Sequence, residues 1–76
     1  MKILIIGGNG FIGSKVSYAL SRKGHEVTIF DIKKNKTKNK QIKFILGDIR
    51  NLQSLSKAIN GKEIVFNFAA LSDIDI

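Results

Sequence analysis

The 76-residue sequence contains no cysteine, which excludes disulfides and thiolate metal sites and leaves the redox compartment open. Long apolar runs are missing too: none approaches the roughly 18 residues needed to cross a bilayer. The apolar stretch Ile3–Ile6 ends in glycines after four residues, unlike the core of a signal peptide. The expectation is a cytoplasmic protein with no membrane partner. Acid is scarce, with 6 Asp and Glu against 13 Lys and Arg, for a net charge of +7. Histidine and tyrosine occur once each, at His25 and Tyr18.

Six lysines (Lys33, Lys34, Lys36, Lys38, Lys40 and Lys43) fall within residues 33–43. Such a surplus could serve nucleic acid, a membrane surface or phosphorylated ligands. No aromatic residue interleaves with these lysines before Phe44, so no base-stacking platform is indicated. The segment reads as a solvated loop, and nucleic acid is not expected as a partner. The hydrophobic share, 43%, is that of a globular core rather than a disordered chain.

Lys2–Ile6 is continuously apolar after its first residue, the pattern of a strand covered on both faces. Ile12, Val16, Ala19 and Leu20 then repeat at helical spacing, predicting a helix to about Lys23 with this set as its inner face. Gly24 stands where a helix end needs positive φ. Further strands are predicted over 26–31, 42–46 and 63–68. Lys33–Gln41 is a loop, and a second helix runs from about Asn51 to Ile59, with Leu52, Leu55 and Ile59 on one face. Asn60-Gly61 stops that helix. Alternating strands and helices imply an α/β fold: a Rossmann-type, doubly wound parallel sheet, incomplete, with its first four strands in the order 3-2-1-4. Only Ala69–Ile76 follow the fourth strand, with no helix to cover it. The chain is therefore expected to be the N-terminal part of an NAD(P)-binding Rossmann domain, the remainder of that domain and the substrate-binding part lying outside these residues.

The chemistry concentrates at Gly7-Gly8-Asn9-Gly10-Phe11-Ile12-Gly13, between the first strand and the first helix. A pyrophosphate needs a tight turn, a close backbone approach and the unpaired N–H groups of a helix N-terminus. Gly8, Gly10 and Gly13 satisfy GxGxxG, and Gly7, Gly10 and Gly13 satisfy GxxGxxG. Spacing alone does not choose between them, and a glycine-rich turn that only joins strand to helix is the bland alternative. Asp31 ends the second strand 18 positions after Gly13 (31 − 13), close to the roughly 20 expected of a ribose-binding acid. Its carboxylate accepts from ribose hydroxyls and repels a 2′-phosphate, which points to NAD, while Lys33 and Lys34 argue in the other direction.

Gly7 to Ser14, Gly24-His25-Glu26-Val27 leading to Asp31, Gly47-Asp48-Ile49-Arg50, and Val65 to Ala70 occur in that order. Together they resemble the NAD-dependent epimerase/dehydratase family, extended short-chain dehydrogenases/reductases acting mainly on nucleotide sugars. The resemblance implies that Gly7, Gly10 and Gly13 shape a pyrophosphate turn, with backbone N–H groups from Phe11 and Ile12. It implies that Asp31 and Ile32 hold the adenosine ribose. Asp48 would accept from the adenine amino group, with the Ile49 backbone beside the ring. Phe68, Ala69 and Ala70 would run along the cofactor. Asn67 stands where the family often has histidine.

The family's reaction uses a Tyr-x-x-x-Lys pair and a Ser or Thr, all well downstream. Tyr18 is followed four positions later by Arg22, on the first helix, so no catalytic residue and no metal ligand is expected here. The resemblance implies an enzyme that moves a hydride at a sugar carbon of a nucleotide-sugar substrate, its full-length form compatible with a homodimer. A non-catalytic NAD(P) sensor and, further off, a nucleic-acid binder using the lysine-rich loop are the competing readings.

Overall fold

A computed structural model describes residues 1–33 and 39–69. Lys34, Lys36 and Lys38 of the lysine-rich segment, and Ala70, lie outside the described residues. The elements are β1 (Lys2–Ile6), α1 (Phe11–Arg22), β2 (Glu26–Asp31), β3 (Lys43–Leu46), α2 (Leu52–Ile59) and β4 (Ile64–Asn67). All three strand pairings are parallel, and the order across the sheet is β3-β2-β1-β4, as expected. β3 begins one residue later than the apolar pattern predicts, and β4 is shorter by one residue at each end.

The strand period of two divides the core between the faces of the sheet. Ile3, Ile5, Val27 and Ile29 are buried on one face, with Val16 and Leu20 of α1 packed against them. Leu4, Ile6 and Phe30 are buried on the other, with Ala58 and Leu55 of α2. The two helices therefore cover opposite faces. Each large apolar side chain buried this way contributes about 1.5–3 kcal/mol. Val65 and Phe66 of β4 keep 41% and 37% of their surface exposed, so the described residues leave this strand partly uncovered.

The inner faces of both helices match the periodic reading at Val16, Leu20 and Leu55 and differ from it elsewhere. On α1 the buried residues are Gly13, Ser17 and Ser21, while Ile12 is 54% exposed and Ala19 is exposed. The cause is close approach: a Cβ on Gly13 would lie 2.5 Å from the Gly7 carbonyl oxygen. Only small residues fit at this four-residue spacing. Ser17 meets its own polar requirement by donating its hydroxyl to the Gly13 carbonyl at 2.7 Å. On α2 the buried residue is Ala58, Leu55 is half-buried, and Leu52 and Ile59 are exposed.

The caps follow the sequence. Gly24 has φ +91°; its N–H bonds the Ser21 carbonyl and the His25 N–H bonds that of Leu20, closing α1 in a Schellman arrangement. Asn51 caps α2 by accepting from the Ser54 N–H at 3.1 Å.

Candidate functional site

The sheet order reverses between β1 and β4, and α/β sheets bind ligands outside the strand ends at such a point. A cleft of about 550 Å³ lies there. It is lined by the C-terminal ends of β1 and β2, the glycine turn, the segment Gly47–Arg50 after β3, and Ala69 after β4. The topology thus gathers into one concavity residues from positions 6 to 69.

Gly7 and Gly8 are fixed by different constraints. Gly7 has φ +76°, and a Cβ there would sit 2.8 Å from the Ala69 nitrogen. A Cβ on Gly8 would lie 2.6 Å from the Ile29 side chain. The residue that distinguishes the two registers, Gly8 in one and Gly7 in the other, is therefore in each case a glycine that the fold requires. Gly10 differs. Its φ is −70°, which any residue adopts, and a Cβ would meet only the Gly7 carbonyl oxygen at an ordinary 3.4 Å. Nothing in the packing demands glycine at Gly10, which lines the cleft. The space a side chain would fill is the space a phosphate needs.

Gly10 is also the N-cap of α1, and no side chain caps this end. The first-turn N–H groups, from Phe11 to Gly13, thus have no intrahelical acceptor. No acidic residue stands in that turn, and the Lys15 ammonium lies 4.2 Å from the Phe11 ring centroid. The helix dipole and this cation give the turn the polarity an anion requires.

Asp31 is held at the end of β2 by two backbone donors. Asn9 N–H reaches its Oδ2 at 3.0 Å and Lys33 N–H its Oδ1 at 3.1 Å. The Asn9 side-chain amide donates in turn to the Lys33 carbonyl at 3.0 Å. Each carboxylate oxygen keeps acceptor capacity for a hydroxyl. Asp48, after β3, is gripped by Arg50 through backbone and side chain, with Nη2 2.7 Å from Oδ2. The Arg50 guanidinium and its backbone N–H hold the Asp48 carboxyl down to about 2.

Eight of the predicted site residues line the cleft: Gly7, Gly10, Phe11, Asp31, Ile32, Asp48, Ile49 and Ala69. Ile12, Gly13 and Phe68 do not line it; Gly13 is packed beneath the turn, and Ile12 faces outward on the first turn of α1. Ala69 is buried, its N–H donating to Asn67 Oδ1 at 3.0 Å, so Asn67 supports the strand end. Asn9 and Arg50 also line the cleft, unanticipated as site residues. Asn9 lies inside the glycine motif, and Arg50 two residues after Asp48, which were the only available signals. Tyr18 lies away from the cleft, 53% exposed, with the Arg22 guanidinium 5.6 Å from its ring centroid. His25 Nδ1 lies 3.2 Å from the Met1 amino group. Among the described residues no helix is long and apolar enough to cross a membrane, and no group of three or more His, Cys, Asp or Glu is placed to hold a metal.

Comparison with known proteins agrees with this geometry. Residues 3–75 match the NAD dependent epimerase/dehydratase family. Human sterol-4-alpha-carboxylate 3-dehydrogenase, decarboxylating, is 38% identical over 66 residues, covering 87% of this chain and 17% of that protein. A UDP-glucose 4-epimerase of Klebsiella pneumoniae is 35% identical over 86 residues, covering 97% of this chain and 62% of that sequence. A short-chain dehydrogenase/reductase superfamily protein from Agrobacterium tumefaciens, solved with bound NAD, superposes with a TM-score of 0.79 at 31% identity. That superposition covers 88% of this chain and 20% of the solved one. The chain thus spans about a fifth of the length of the sterol dehydrogenase and of the solved protein, and under two thirds of the epimerase.

Proposed function

This chain belongs to the NAD-dependent epimerase/dehydratase family, and we propose that it forms the NAD-binding part of an enzyme acting on a nucleotide sugar. The observation that carries the reading is Gly10, a glycine that lines the cleft and that packing does not require. The N–H groups of Phe11 and Ile12 take the pyrophosphate, with Gly7 and Gly13 keeping the turn tight enough for the backbone to approach it. Asp31, beside Ile32, accepts from the adenosine ribose hydroxyls. Asp48 accepts from the adenine amino group, and Ile49 flanks the ring. Ala69, past β4, runs along the cofactor. When bound, NAD supplies a hydride acceptor for a carbon bearing a hydroxyl. The chain's own part is binding and orientation; the acid/base pair and most substrate contacts come from elsewhere in the full-length protein, which is compatible with a homodimer.

The substrate class rests on the UDP-glucose 4-epimerase relative. A second reading, oxidation of a sterol hydroxyl, draws on the sterol dehydrogenase relative of comparable identity. Two measurements on the full-length protein separate these readings. Calorimetric titration with NAD should give saturable binding that Gly10→Val removes; unchanged affinity in that variant would end the cofactor assignment. Turnover of UDP-hexoses but not of 3-hydroxysterols would support the sugar reading, and the opposite pattern would replace it.

A further inference from the structure

Four hydrogen bonds run from a single residue to the Asp48 carboxylate. The Arg50 backbone N–H reaches Oδ1 at 2.8 Å, Nε lies 3.1 Å from both oxygens, and Nη2 is 2.7 Å from Oδ2. Only three donor hydrogens make these contacts, that of Nε being shared between the two oxygens, so the grip fixes the direction in which the carboxylate points and leaves part of its acceptor capacity open. Stability does not account for the arrangement. The Arg50 side chain is 87% exposed, and exposed pairs add little to folding. The turn is closed independently by the Asn51 N–H on the Asp48 carbonyl at 2.9 Å. Both Asp48 and Arg50 line the cleft.

We infer that Arg50 is a positioning residue that locks the Asp48 carboxylate as a fixed acceptor, so that the site selects a 6-aminopurine dinucleotide over a 6-oxopurine one. The inference rests on the reading that Asp48 meets the adenine amino group. A 6-amino group donates to a carboxylate, whereas a 6-oxo group presents a lone pair to it and is repelled. An oxopurine carries a different donor, N1–H, which a freely rotating aspartate could turn to meet. The fork of Nε and Nη2 opposes that rotation.

The test uses the full-length protein and two probes, NAD and nicotinamide hypoxanthine dinucleotide, which differ at this one purine position. Calorimetry should give wild-type protein a preference for NAD of about tenfold. Arg50→Met should reduce that preference to about threefold or less, Arg50→Lys should fall between, and Asp48→Ala should abolish it. Loss of the preference in Asp48→Ala with a wild-type ratio in Arg50→Met would overturn the positioning role while leaving Asp48 at the base. A wild-type ratio in Asp48→Ala would overturn the reading of Asp48 and the inference with it. Equal weakening of both dinucleotides in Arg50→Met, at unchanged ratio, would mark a merely structural arginine and also refute the inference.

Discussion

The Asn9 backbone N–H donates to Asp31 Oδ2 at 3.0 Å, tying the glycine turn to the end of β2. One carboxylate thereby has two tasks. It orders the turn after β1, and it presents its remaining lone pairs to the cleft. Gly7 reinforces the tie by donating its N–H to the Phe30 carbonyl at 2.8 Å. The surfaces assigned to pyrophosphate and ribose are therefore braced against each other before any ligand arrives.

The glycines of the turn should separate under substitution. Gly13→Ala puts a Cβ 2.5 Å from the Gly7 carbonyl oxygen, so it should cost about 1–3 kcal/mol of stability. Gly10→Val meets no such obstacle and should leave stability within about 1 kcal/mol while lowering NAD affinity at least about tenfold. Thermal unfolding and NAD titration of both full-length variants check the contrast. Equal stability losses would remove the distinction between packing and ligand glycines.

The inner face of α1 gives a second prediction. Ser17→Leu forces a large side chain where the helix lies against the sheet, and should cost about 1–3 kcal/mol. Ile12→Gln changes a residue that is 54% exposed and should stay within about 0.5 kcal/mol. Urea unfolding of the two variants measures the order, which is the reverse of what hydrophobicity alone suggests.

That reversal marks where the sequence was legible. The strands and their order were readable because Ile3–Ile6 is a continuous apolar run and Val27, Ile29 and Phe30 form a second, interrupted only by Thr28, with a helix-length segment between them. The turn was readable because glycines at 7, 10 and 13 have few other uses in that context. Ser17 and Ser21 were not readable as core, because contact distance selects them for size and a hydrophobic period counts them as polar. Asn9 escaped notice because its tie to Asp31 is made by a backbone N–H, which any residue but proline supplies. The Arg50 grip on Asp48 spans a turn at i, i+2, a spacing that no helix or strand period signals.

Acid should weaken the turn after β3. The folded Asp48 pKa, about 2, lies below the ordinary 3.8, so the Arg50 grip stabilises the fold above pH 4 and is lost as pH falls toward 2. Glu26, lowered by its bond to Lys43, acts in the same direction. Both groups are exposed, so the effect is modest. The fall in Tm between pH 4 and pH 2 should be smaller in Asp48→Asn than in wild type. An identical fall would show that the pair does not couple to folding.

Cofactor choice turns on Asp31 and Lys33. The ribose of NAD can donate two hydroxyls to the Asp31 carboxylate, whereas the 2′-phosphate of NADP, with nearly two negative charges, cannot. Lys33 lines the cleft and could answer that phosphate, but an exposed ammonium on a flexible stem contributes only about 0–1 kcal/mol. The carboxylate is fixed by the Asn9 and Lys33 N–H groups and pays little to stay in place. We therefore expect the full-length protein to favour NAD over NADP by at least about tenfold, or 1.4 kcal/mol. Asp31→Ala should do more than weaken NAD. It removes the negative charge and the acceptor of the Asn9 and Lys33 backbone N–H groups, so the Lys33 side chain lines the cleft with no carboxylate opposing a phosphate there. The variant should narrow or invert the preference, with NADP affinity rising in absolute terms. Parallel titrations with NAD and NADP at physiological salt measure both. Equal or tighter NADP binding by the unmodified protein would overturn the assignment of Asp31 as the selective residue.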